Sequence, residues 1–207
     1  MNINLPRIAV ALVAGWALWL AGCSGDAAAL RPLPEDAVVL AFGDSLTFGT
    51  GAAREQSYPA VLSALIDRQV VNAGVPGELS STGARRLPPL LAEHRPGLVV
   101  LCHGGNDILR RRDRAALRTN LEQMVAESRA AGAEVVLLAV PDFGLMLSAA
   151  EDYHAVATAT GVLLEDQALP EILGDRELKS DAIHPDAGGY RRLAEAVAAL
   201  LKRHGAL

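Results

Sequence analysis

Apolar residues fall into short unbroken runs, separated by stretches with helical spacing. The runs are Val38-Val39-Leu40-Ala41, Val70-Val71-Asn72-Ala73, Leu98-Val99-Val100-Leu101-Cys102, Val135 to Val140 and Val162 to Leu164. Short apolar runs without alternation suit strands buried on both faces. Between them, Leu117, Leu121, Met124 and Val125 fall at i, i+4, i+7 and i+8, a single helical stripe that Gly132 ends. Tyr190, Leu193, Val197, Leu200 and Leu201 give a C-terminal helix its buried face. Ser57 is placed to cap a helix with Pro59 in its first turn and Ala60, Leu62, Ala64, Leu65 and Ile66 on its apolar side. Ser80, Ser81 or Thr82 opens another, reaching about His94 and kinked near Pro88-Pro89. A further helix runs through His154 to Thr160. Gly49 to Gln56 and the stretch from Pro141 read as loops, and Gly74-Val75-Pro76-Gly77 as a sharp turn. Strands alternating with helices predict an α/β fold, a parallel sheet covered on both faces.

The first residues break this pattern. Arg7 precedes an apolar run from Ile8 to Leu20, followed by Ala21-Gly22-Cys23. The run is shorter than the ~20 residues that span a bilayer, so it reads as a signal segment. Leu20-Ala21-Gly22-Cys23 resembles the bacterial lipoprotein box, in which cleavage leaves a lipid-modified cysteine. An ordinary secretory signal would instead be cut nearby, after one of Ala27 to Ala29. On the lipoprotein reading residues 1–22 are the signal peptide, 23–36 a small, polar, proline-bearing tether, and 37–207 the domain. Several acyl chains on Cys23 would hold the protein to a membrane, where one chain holds only marginally. By analogy with lipoprotein sorting, Ser24 in place of Asp points to the outer membrane, facing the periplasm of a bacterial envelope.

At 207 residues with 51% apolar composition, the chain can bury a sizeable core, and no internal repeat is visible. The formal charge of −5, one unit more negative without Arg7, excludes the basic footprint of a nucleic-acid binder. Arg110 to Arg114 and Arg191-Arg192 read as solvated faces. Cys102 is the second of two cysteines, at the end of an apolar run, and reads as a buried inert thiol.

Candidate chemistry lies where the apolar runs end. Phe42-Gly43-Asp44-Ser45-Leu46-Thr47 places a hydroxyl at the carboxyl edge of the sheet, where open α/β sheets bind ligands. Asp44 can tie the turn, leaving the Ser45 N–H to face an oxyanion. Asp181-Ala182-Ile183-His184-Pro185 supplies a base and a group to orient it, Pro185 biases His184 toward extended backbone, and Asp186 can cap the next helix. Gly77 can bring its N–H close to a ligand, and Asn106 in His103-Gly104-Gly105-Asn106-Asp107 can add a side-chain donor. Each has a plain reading alone: turn glycine, turn asparagine, a capping aspartate with a solvated histidine. Together they suit acyl transfer by serine. Neither a G-x-S-x-G elbow nor a metal-ligand cluster is visible.

Gly43-Asp44-Ser45-Leu46, Gly77, Gly104-Gly105-Asn106-Asp107 and Asp181-x-x-His184 resemble the four blocks of the SGNH (GDSL) hydrolase family. The nearest likeness is to small bacterial arylesterases and acyl-thioesterase/lysophospholipases. The resemblance implies a flavodoxin-like three-layer α/β/α sandwich with five parallel strands and no cofactor. It assigns Ser45 as nucleophile, His184 as base and Asp181 as its orienter, with Ser45, Gly77 and Asn106 forming the oxyanion hole. It also brings Leu109 and the stretch Phe143, Leu145, Met146 and Leu147 near an acyl pocket, where they either line it or pack their loop. The implied activity is hydrolysis of aryl esters, acyl thioesters or lysophospholipids through an acyl-enzyme. Deacetylation of an envelope polysaccharide, or a non-catalytic lipoprotein using the fold as a binding surface, are the other readings. His103 is expected to pack or make a structural hydrogen bond, and His94, His154 and His204 to lie on the surface.

Overall fold

The computed structural model describes residues 1, 29–142 and 147–207. Five strands form its sheet: β1 (Val38–Gly43), β2 (Gln69–Gly74), β3 (Leu98–Cys102), β4 (Glu134–Leu138) and β7 (Leu163–Glu165). They pair in parallel in the order β2-β1-β3-β4-β7, as expected of βαβ units. β1 and β3 are almost wholly buried, which is why their sequences run apolar without alternation. One helical layer holds α2 (Tyr58–Ile66), α7 (Ala168–Gly174) and α8 (Ala187–Arg203), which pack on one another. The other holds α3 (Ser80–His94), α5 (Arg114–Ala130) and α6 (Glu151–Thr160). Two short helices, α1 (Ser45–Phe48) and α4 (Gly105–Leu109), begin at the carboxyl ends of β1 and β3.

Several local expectations change. Ser57 sits at the N-cap of α2 but its hydroxyl donates to the Arg54 carbonyl of a preceding one-turn 3-10 helix, leaving the cap unmade by a side chain. The helix from Ser80 does reach His94, as expected, and passes through Pro88 and Pro89, both on its exposed side, where water can serve the carbonyls they leave unbonded. The loop from Pro141 contains a small antiparallel pair, β5 (Pro141–Asp142) with β6 (Ser148–Ala149). The last strand lies one residue later than its apolar run, and α7 was not anticipated.

The segment read as a tether up to residue 36 is docked from Leu30 onward. Leu30 and Leu33 are buried, and their N–H groups donate to the carbonyls of His204 and Ala206 at 2.9 Å each. Arg31 pairs with Glu134 and reaches the Gly132 carbonyl at 2.8 Å. Nor is the Arg110 to Arg114 stretch solvated throughout. Arg114 bridges Asp142 at 2.9 Å and Asp152 at 2.6 Å, tying α5 to β5 and α6. Cys23, like the rest of the signal segment, lies outside the described residues.

Candidate active site

The sheet order puts three turns side by side. Gly43 pairs with Gly74 on one flank and Cys102 on the other, so β1, β2 and β3 end level. The segments that follow carry Ser45, Gly77 and Asn106. A Cβ on Gly43 would lie 2.0 Å from the Cys102 carbonyl oxygen, so only glycine lets the two strands exit together here. Gly77 holds φ of +78°, in the left-handed region that side chains disfavour. Arg110 pins that turn from outside, donating to the Gly77 carbonyl at 3.2 Å.

Asp44 organises the turn that carries Ser45. Its Oδ1 accepts from the Leu46 N–H at 3.1 Å, capping α1, and its Oδ2 accepts from the Asn106 amide at 3.3 Å. Burial pushes this carboxyl up from its ordinary value, opposed by the His103 charge and by those two hydrogen bonds. Asn106 spends one amide hydrogen on Asp44 and keeps the other for the cavity. The Ser45 and Gly77 N–H groups donate to no acceptor among the described residues. Two backbone donors and one amide donor therefore converge at one edge.

His184 arrives from the far end of the chain. The loop before α8 is fastened by Asp186, which caps that helix through the Gly189 N–H at 2.9 Å, and by Ser180, whose N–H donates to the His184 carbonyl at 3.0 Å. Asp181 Oδ1 accepts from the N–H groups of Ile183 and His184 at 2.8 Å each, while its Oδ2 lies 2.8 Å from His184 Nδ1. On the other side of the ring, Nε2 lies 3.0 Å from Ser45 Oγ. Asp181 is only slightly buried, which works against its charge. The hydrogen bond from His184 and those from the two N–H groups outweigh this and hold its carboxyl below the usual range. An ionised Asp181 can only accept, so Nδ1 carries the proton and Nε2 presents a lone pair to the Ser45 hydroxyl.

Ser45, Gly77, Asn106 and His184 line one cavity of about 190 Å³. Its apolar wall is Leu46, Pro76, Leu109, Val140 and Ile183. Leu109 is among the residues that line it. Of the other residues expected there, Phe143, Leu145 and Met146 lie outside the described residues, and Leu147 is not among those lining the cavity. Cys102 is buried beside the Ser45 turn, where burial pushes its thiol well above the usual range, the state of an inert sulfur. Among the described residues no cluster of three metal-ligating side chains occurs.

Sequence reasoning missed Glu78 and Arg86. Arg86 Nε and Nη2 donate to the Glu78 carboxylate at 2.9 and 2.7 Å, and His103 Nε2 donates to Glu78 Oε2 at 3.1 Å. His103 is fully buried, so its expected structural hydrogen bond is found. Burial alone would raise the Glu78 carboxyl, but the hydrogen bonds from His103 and Arg86 and the Arg86 charge bring it down to about 2. The available signal was a carboxylate placed directly after the turn glycine, with an arginine eight positions on.

Residues 41–192 match the GDSL-like Lipase/Acylhydrolase family. Esterase TesA of Pseudomonas aeruginosa is 36% identical over 200 residues, covering 90% of this chain and 98% of that one. The thioesterase 1/protease 1/lysophospholipase L1 of Escherichia coli K12 is 30% identical, covering 79% of this chain and 83% of that one. The crystal structure of TesA superposes with a TM-score of 0.73 at 34% identity, covering 81% of this chain and 99% of that one.

Proposed function

The chain belongs to the GDSL-like lipase/acylhydrolase family, and from that premise we propose that it cleaves carboxylic esters and thioesters through an acyl-enzyme on Ser45. It is a serine ester hydrolase. The observation that carries the residue roles is the single imidazole of His184, 3.0 Å from Ser45 Oγ on one nitrogen and 2.8 Å from Asp181 on the other.

His184 Nε2 takes the Ser45 proton as Oγ attacks the acyl carbon. The oxygen that becomes negative is met by the N–H groups of Ser45 and Gly77 and by the Asn106 amide. These donors are set before the charge develops, and one such donor is worth roughly 10²–10³ in kcat. Asp181 stabilises the imidazolium and keeps its ring in place. As the tetrahedral species collapses, His184 returns the proton to the departing alcohol or thiol. Water then attacks the acyl carbon as His184 takes its proton; as the acyl–Ser45 bond breaks, His184 returns that proton to Ser45 Oγ and the acid leaves.

The apolar wall supports acyl or aryl substrates, including lysophospholipids. The likeness to a thioesterase/lysophospholipase is in keeping with this. The sequence Leu20-Ala21-Gly22-Cys23 supports anchoring through lipid on Cys23 in the envelope, next to such substrates. Ser45→Ala should abolish p-nitrophenyl ester turnover while leaving circular dichroism unchanged; retained turnover would remove Ser45 as nucleophile. Cys23→Ala should move the protein from the membrane to the soluble fraction, and unchanged fractionation would defeat the anchor. A panel of graded acyl esters, thioesters, lysophospholipid and acetylated sugar ranks the substrates.

A further inference from the structure

We propose that Glu78, Arg86 and His103 form a largely buried strut that sets the spacing of the three oxyanion donors, acting as positioning residues for the ester-hydrolase reading above. The guanidinium of Arg86 touches two of the three segments that carry a donor, and Glu78 links it to the third. Its Nη2 donates to the Gly43 carbonyl at 3.3 Å, two residues before Ser45, and to the Ala73 carbonyl at 3.0 Å, at the end of the strand leading to Gly77. Its other hydrogen-bond partner is Glu78, the residue after Gly77, and Glu78 passes the link to His103, three residues before Asn106.

The surroundings hold each member of the strut in place. Arg86 lies over the Phe42 ring, 4.3 Å from its centroid, and the His103 ring lies tilted against it, centroids 5.8 Å apart. Gly83, one turn before Arg86 on α3, makes room for the imidazole: a Cβ there would lie 2.4 Å from His103 Nε2. α3 is fastened at its start to the residue beside Asn106, since Asp107 accepts from the Ser80 N–H and hydroxyl at 2.8 Å each. The backbone carbonyl of His103 accepts from the Tyr153 hydroxyl at 2.8 Å, which fixes the third donor segment from the opposite side.

Stability is a poor explanation for such a cluster, because desolvating a buried ion pair cancels much of its attraction. Geometry is a better one. Two carbonyls and a carboxylate around one group require a planar fork of donors, which arginine has and lysine lacks. Displacing a donor by about 1 Å can cost roughly 10²-fold in rate, so the strut acts on the transition state and not on substrate binding.

The test compares wild type, Arg86→Met, Arg86→Lys, Arg86→Ala and Glu78→Gln on a p-nitrophenyl ester, normalised to folded protein by circular dichroism. Arg86→Met should lower kcat roughly 10- to 100-fold with KM within about twofold. Arg86→Lys should fail to restore it, and added guanidinium ion should raise kcat of Arg86→Ala where methylammonium does not. Affinity for phenylboronic acid, which forms a tetrahedral anion on Ser45, should fall in step with kcat; calorimetry reads it without turnover. If the Arg86 variants do not fold, the near-isosteric Glu78→Gln carries the test through the same two readouts. Unchanged kcat and boronate affinity in folded variants, or a rise in KM alone, would overturn the strut. Failure of the hydrolase reading is separate: it would show as a wild type without turnover or a Ser45→Ala variant that keeps it.

Discussion

Asp181 shows how little burial a carboxylate needs to be held ionised when its hydrogen bonds are arranged. Its side chain is 53% exposed, so Coulomb attraction alone would be weakened by water and salt. What it supplies is orientation: one oxygen is held by two backbone N–H groups, and the other holds His184 Nδ1–H. An amide at this position offers its own N–H to the ring and selects the wrong tautomer. Asp181→Asn should therefore lower kcat by roughly 10²–10⁴ with the fold intact, read by steady-state kinetics on a chromogenic ester. A loss below tenfold would make Asp181 only the cap of its loop. This pairing was legible in sequence, because Asp and His lie three residues apart and Pro185 keeps the intervening backbone out of a helix. The second task of Asp44, holding the Asn106 amide, was not legible, since the two are 62 positions apart.

Among elements, the loop from β2 to α3 carries one of the buried charges near the site. Glu78 lies in it with its carboxyl held at about 2, below the value it has in an unfolded chain. The sign follows from linkage: the unfolded state takes up the proton first, so the stabilisation is fully present above the unfolded value of about 4.3 and is lost as pH falls toward 2. Thermal melts from pH 6 to 2.5 should show wild type losing more stability over that interval than Glu78→Gln. Parallel curves would mean that the carboxylate is not ionised by its neighbours. Long periodic elements such as α5 and α8 could be read directly from their apolar stripes. The β5–β6 pair and α7 could not, because two- to seven-residue elements span too few turns or alternations to set a period.

For the whole molecule, the N-terminal boundary of the domain is set by packing and not by composition. Leu30 and Leu33 look like part of a polar tether, yet they close the end of the core beside Ala206. Burying a leucine is worth roughly 1.5–3 kcal/mol. A chain cut before Ala37 should melt about 5 °C or more below one cut before Ala29, at roughly 2–4 °C per kcal/mol for a chain of this size. Equal midpoints would return residues 30–36 to the tether.

By itself the sequence determined the strands, the longer helices, the parallel α/β class and the residue types of the site. Apolar period, caps and turn chemistry act over a few neighbouring positions and can be read there. Only the tertiary structure decided that Ser45 and His184, 139 positions apart, stand within 3.0 Å. It also decided that Arg86 reaches the ends of two strands at once. Those distances come from the order in which strands join the sheet and from where the helices dock, and no local stretch of chain encodes either.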